Sequence, residues 1–156
     1  MADDAKDNAG VVAPPPLIYL LPLLVGLLLN RRFPTPLLPR ALARLLGWPL
    51  LSGGVALLLW FHFTLRNAGT PTDPWKPVER VVTHGPYART RNPGYTAMAM
   101  IYASISLLRN SLWPMLLLPA AVATIHKGVI EREERYLEEK FGEEYRRYKA
   151  STPRWF

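Results

Sequence analysis

NPGYTAMAMIYASISLLRNSLWPMLLLPAAVATIH, residues Asn92–His126, runs for 35 residues with a single charged side chain, Arg109. That arginine divides it into two uncharged stretches of 17 residues, Asn92–Leu108 and Asn110–His126. A helix rises about 1.5 Å per residue and the hydrocarbon core of a bilayer is about 30 Å thick, so roughly 20 residues cross it. Each half is marginal alone, and the pair reads as a tight antiparallel helical hairpin within a larger bundle. Two longer uncharged runs precede it, Asn8–Asn30 with 23 residues and Leu45–Leu65 with 21. Four such runs in 156 residues predict an all-α integral membrane protein with about four transmembrane helices, whereas a soluble bundle rarely carries them together. The expected spans are about 14–30, 45–65, 93–108 and 111–127, within one membrane domain covering 13–156.

The flanks of these runs set further expectations. Asp3, Asp4 and Asp7 outweigh Lys6 where a secretory signal would be positive, so the first run is expected to stay in the protein. Met1–Val12 is small and acidic and is expected to be disordered, with Pro14, Pro15 and Pro16 blocking any earlier helix. The net charge is +7, but the basic residues flank apolar runs and form no separate basic domain, which points to the membrane surface rather than to nucleic acid. If all four runs cross, 14 of the 19 lysines and arginines share the side holding both termini, which predicts that both ends are cytoplasmic. PLLPRALARLLGW, residues 36–48, suggests a short amphipathic helix in the interface before the second span, and Gly53-Gly54 within that span a close helix contact. The absence of cysteine excludes disulfides, thiolate metal sites, a cysteine nucleophile and cysteine lipidation. His62, His84 and His126 show no metal-ligand spacing, so no metal is expected.

Two polar clusters flank the hairpin. The first, THGPYARTRNPGY at Thr83–Tyr95, ends a loop (66–92) stiffened by Pro71, Pro74 and Pro77, in which 78–83 suggests an extended stretch. Pro93 suits the first turn of the third span, whose free N–H groups with Arg89 and Arg91 make a receptor for a carboxylate or phosphate. The second cluster, EREERYLEEKFGEEY at Glu131–Tyr145, belongs to an expected cytoplasmic amphipathic helix over 128–149. Ile130, Leu137, Phe141, Tyr145 and Tyr148 form its apolar stripe, and Glu133 and Glu134 border that stripe, where carboxylates need partners. If the hairpin brings the clusters together, arginines could hold a carboxylate while the glutamates accept ribose hydroxyls or face a cation.

On these residues the chain resembles the isoprenylcysteine carboxyl methyltransferases and the related phospholipid methyltransferases, over roughly Gly69–Phe156. The marks are Gly85, Pro86 and Tyr87, then Arg91, Asn92, Pro93 and Tyr95 before the hairpin, then the Glu133-Glu134 pair. Leu137, Phe141, Gly142, Glu144, Tyr145, Tyr148 and Pro153 follow at the family's spacing. The chain departs from the family at Asn92, where many members have histidine, and at Ala97, where many have glycine. The resemblance implies S-adenosylmethionine as methyl donor, S-adenosylhomocysteine as product, and a lipophilic acceptor entering sideways from the bilayer. It implies a cofactor site of His84, Gly85, Pro86, Tyr87, Arg91, Asn92, Tyr95, His126, Glu133 and Glu134, with Arg91, Tyr95 and Glu134 closest to the chemistry. An NADPH-dependent reductase similar to the membrane sterol reductases, or a non-catalytic binder of anionic lipids, would use the same basic loop differently. Ala99 and Ala103 permit close packing or a homodimer.

Overall fold

The structure, a computed structural model, describes residues 8–73 and 75–156 and is all-helical, with no strand among those residues. The acidic segment Met1–Asp7 and Pro74 lie outside the described residues. Four helices form the body: α1 (Pro15–Arg32), α2 (Arg40–Asn67), α3 (Pro93–Leu108) and α4 (Leu112–Ile125). α5 (Glu131–Phe141) and α6 (Glu143–Ser151) complete the chain.

α2 packs chiefly on α3, α1 on α4, and α3 on α4 as the expected hairpin. Gly54 makes the α2–α3 approach possible: a Cβ there would lie 3.0–3.2 Å from Ile101 and Met100, tighter than ordinary contact. The core gathers Tyr19, Leu23, Tyr102, Ala121, Ile125, Val129 and Ile130. The opposite faces stay bare. Leu17, Leu21, Leu24 and Leu28 of α1, and Leu45, Trp48, Leu59 and Phe63 of α2, are all exposed. An apolar surface this continuous is a liability in water and a match for lipid. Two helical stretches are long and apolar enough to cross a membrane: α2 at 28 residues and the unbroken run Leu112–Phe141 at 30. The apolar part of that second run is α4, and the chain turns charged from Lys127 onward.

Several expectations are corrected. α2 begins at Arg40, so 36–48 forms no separate interfacial helix but continues into the second apolar run. Asn8–Val12 is ordered: Val11 is buried in the core, Val12 donates its backbone N–H to Gly128 O at 3.2 Å, and Gly10 O accepts from Arg132 Nη1 at 2.8 Å. The helix expected over 128–149 is two helices. Gly142, at φ +53° and ψ −121°, occupies backbone space closed to side-chain-bearing residues, and the chain bends there between α5 and α6. Between α4 and α5, His126–Ile130 is a π turn. The extra residue it inserts rotates everything after it by about 100° relative to an α-helical continuation, turning the Glu133-Glu134 pair toward α3.

Candidate active site

Where the C-terminal half of α2, the loop before α3, the first turns of α3, and α5 with α6 converge, they enclose a cavity of about 690 Å³. Leu58, Leu59, Phe61 and Leu65 of α2 line one wall, and Trp75, Val78 and Val82 of the loop another. The loop is tied to α5 through Val78 N–H, which donates to Tyr136 Oη at 3.3 Å. The polar lining comes from both clusters: Arg91, Asn92, Tyr95, Glu133, Glu134, Tyr145 and Tyr148.

Arg91 is fixed by the end of the chain. Its backbone N–H donates to Pro153 O at 2.9 Å, and Arg154 O accepts from both Thr90 Oγ1 at 3.0 Å and Asn92 Nδ2 at 2.9 Å. The Asn92 amide thus holds backbone. The Arg91 side chain is only 9% exposed. Its Nη1 lies 3.1 Å from Glu134 Oε1 without hydrogen-bond alignment, and neither Nε nor Nη1 makes a hydrogen bond to the described residues. Buried guanidinium donors left open are costly unless something else accepts from them.

The two adjacent glutamates have opposite surroundings. Glu134 is 5% exposed and well compensated: Arg154 donates from Nε to Oε1 at 3.0 Å and from Nη2 to Oε2 at 2.6 Å, and Lys149 Nζ lies 3.9 Å from Oε2. Glu133 pairs with no cation among the described residues; its Oε1 accepts from Tyr95 Oη at 2.6 Å. Glu133 stands beyond the apolar part of its helical run. Burial, with the Glu134 charge adding, pushes its carboxyl up to about 7, and the Tyr95 hydrogen bond only partly opposes the rise. Around them, burial holds the Tyr87, Tyr145 and Tyr148 phenols above their ordinary range. Tyr148 Oη donates to Tyr87 O at 2.8 Å, docking α6 onto the loop.

Of the ten residues expected at a cofactor, Tyr87, Arg91, Asn92, Tyr95, Glu133 and Glu134 line the cavity. His84 is exposed outside it, and Gly85 and Pro86 form a 3₁₀ turn against α2. His126 does not line it either. Its Nε2 lies 2.8 Å from Arg154 Nη1 and 3.5 Å from Glu131 Oε1, and its ring stacks on Trp155 at 6.4 Å. Arg89 is exposed and away from the lining. Sequence reasoning missed Arg154, the main partner of Glu134. Its only signal was the need of a carboxylate beside an apolar stripe for a cation, and many basic residues met that description.

Comparison with known proteins gives two findings. A family model described as phospholipid methyltransferase matches residues 42–144, well over half of the 156. A curated protein of Haemophilus influenzae, described as uncharacterized, is 56% identical over 34 residues, which are 22% of this chain and 54% of that protein. The chain thus spans about half the length of that relative. No solved structure matches the chain.

Proposed function

Because the chain belongs to the phospholipid methyltransferase family, within the isoprenylcysteine carboxyl methyltransferase-like superfamily, we propose that its cavity carries methyl transfer from S-adenosylmethionine to a lipophilic acceptor. The observation that carries this reading is two incompletely answered groups in one cavity: Arg91, ion-paired with Glu134 but with Nε and Nη1 unused as hydrogen-bond donors, beside Glu133 with no cation among the described residues. A ligand bearing a carboxylate and a cationic centre answers both. The volume of about 690 Å³ falls inside the range of roughly 300–1,000 Å³ typical of small-molecule sites.

Arg91 would hold the carboxylate end through Nε and Nη1. Glu133, steadied by Tyr95, would face the cationic end, while Glu134, already bonded to Arg154, orients Arg91 from behind. When bound, the cofactor supplies a methyl carbon made electrophilic by its sulfonium. In-line displacement at such a carbon depends on placement and on a dry pocket, which the apolar walls from α2 and the loop provide. Glu133, with a carboxyl near 7, is also the group suited to take a proton from an amine acceptor; a carboxylate acceptor needs no base. Leu58 and Leu59 line the cavity and Leu59 is exposed on the apolar face of α2, so the acceptor's hydrocarbon enters from the bilayer. In this reading α1 and α3 also cross the membrane, giving four spans with both termini and the cavity on the cytoplasmic side.

Calorimetric titration of the detergent-purified chain with S-adenosylhomocysteine tests the reading. Wild-type protein is expected to bind, and Arg91→Gln to bind at least ten-fold more weakly. No heat from the folded wild-type protein, or equal affinity in the variant, overturns it.

A further inference from the structure

The chain contains no aspartate or glutamate between Asp7 and Asp73, and none between Glu79 and Glu131. These two stretches meet at the end of the bundle away from the cavity just described, where the connection from α1 to α2 packs beside the turn from α3 to α4. Arg40 and Leu65 are 25 positions apart on α2, so the two ends are separated by about 37 Å of helix. Five arginines collect at this far end, Arg31, Arg32, Arg40, Arg44 and Arg109, with no acidic residue in either stretch to answer them.

Three of the five, Arg40, Arg44 and Arg109, line a hollow of about 340 Å³ together with Thr35, Ala43 and Asn110. The hollow is built on a fixed frame. Asn110, at φ +46°, accepts the backbone N–H groups of Leu37 and Leu38 on Oδ1, each at 3.0 Å, and donates from Nδ2 to Leu38 O at 2.9 Å. Leu112 N–H donates to Thr35 O at 3.0 Å, and Trp113 Nε1 to Phe33 O at 2.8 Å. The two connections are thereby locked together. The side chains of Arg40, Arg44 and Arg109 make no hydrogen bond or ion pair with the described residues.

We propose that this hollow binds a phosphate anion, the group shared by a phospholipid headgroup and free phosphate. Three guanidiniums around one hollow repel one another, and only an anion between them turns that repulsion into attraction. Guanidinium forks match phosphate oxygens in paired hydrogen bonds, and Ala43 and Leu108 supply an apolar floor leading to the exposed leucines Leu42, Leu45 and Leu46. The site takes a headgroup of net negative charge in preference to a zwitterionic one, because no carboxylate is present to hold a choline or ethanolamine cation. It is independent of the methyl-transfer site, whose residues lie at the other end of α2.

Native mass spectrometry of the full chain in detergent tests this with phosphatidylglycerol, phosphatidylcholine and diacylglycerol as probes. Phosphatidylglycerol is expected to be retained at least ten-fold more tightly than the other two. The triple variant Arg40→Gln, Arg44→Gln, Arg109→Gln is expected to lose that preference, and the single variant Arg109→Gln, altered only at an exposed turn, to weaken it several-fold. A control with the same loss of charge outside the hollow, Arg31→Gln, Arg32→Gln, Arg147→Gln, is expected to stay within about two-fold of wild type. Displacement of phosphatidylglycerol by millimolar inorganic phosphate identifies free phosphate as sufficient, and resistance to it identifies the lipid as the ligand; either supports the anion site. Equal losses in the hollow and control variants, or no preference for phosphatidylglycerol in the wild type, overturn it.

Discussion

Glu133 and Glu134 are adjacent and chemically identical, yet the fold gives them different work. Glu134 is bonded at both oxygens by Arg154 and flanked by Arg91, so it acts as a fixture. Glu133 is half-buried with only a tyrosine hydroxyl as its partner among the described residues, so its charge is the expensive one. Its folded-state carboxyl, raised from 4.5 to about 7, favours the protonated form, so the native state loses stability as pH rises across that interval. A bound cation reverses the preference and favours ionised Glu133. The affinity for S-adenosylmethionine should therefore rise about ten-fold from pH 6 to pH 8, following the fraction of free enzyme with Glu133 ionised. The affinity for S-adenosylhomocysteine, which lacks the sulfonium charge, should rise far less over the same range. Titrating both ligands at the two pH values checks this, and Glu133→Gln should remove the difference between them. The sequence marked both glutamates as needing partners, but partner identity depends on Arg154, twenty residues further on, and no spacing rule links positions across a chain reversal.

Among the elements, α5 and α6 show how a local device makes a site. A straight amphipathic helix over 128–149 would keep its apolar stripe on one side. The π turn at His126–Ile130 instead changes the facing of α5, and Gly142 breaks the axis so that Tyr145 and Tyr148 of α6 return to the cavity. The Gly142 break had a visible letter in the sequence, a glycine after Phe141, whereas the glycine inside the π turn, Gly128, does not by itself distinguish a π turn from a continuing α-helix. Gly128 O accepts from Val12 N–H, and a Cβ at Gly128 would lie 2.6 Å from Val12 Cγ2, so the close approach of the N-terminal segment to this turn needs glycine there. Gly142→Ala forces a Cβ into backbone space that it rarely occupies and should cost about 1–3 kcal/mol. Thermal unfolding in detergent should show a lower midpoint, with weaker S-adenosylhomocysteine binding because α6 no longer seats against Tyr87. An unchanged midpoint would mean that α6 contributes little to the fold.

At the scale of the whole molecule, the charge distribution divides the protein into two chemically different ends. Arginines and glutamates mix around the large cavity, and arginines are the only charged residues at the far end. With apolar faces of α1 and α2 exposed between them, lipid is the medium that fits. The lack of cysteine makes the topology directly measurable. Single cysteines introduced at Ser151 and at Asn67 should react with an impermeant thiol reagent from the same side of sealed vesicles. One at Phe33 should react only from the opposite side, and labelling of all three from one side would contradict a bundle with its two ends on opposite membrane faces.

The sequence by itself determined the helical class, the hairpin, the two polar clusters and the family, because charge-free runs and short motifs are local and survive without knowledge of contacts. Only the tertiary structure decided which glutamate is left without a cation, that Arg154 closes the site, that Asn92 holds backbone, and that His126 stands behind the cavity. Those outcomes depend on the π turn, the break at Gly142 and the return of the chain end to Thr90–Asn92. Each is a long-range hydrogen bond or a change of helix facing, and distances of that kind exist only once the chain has packed.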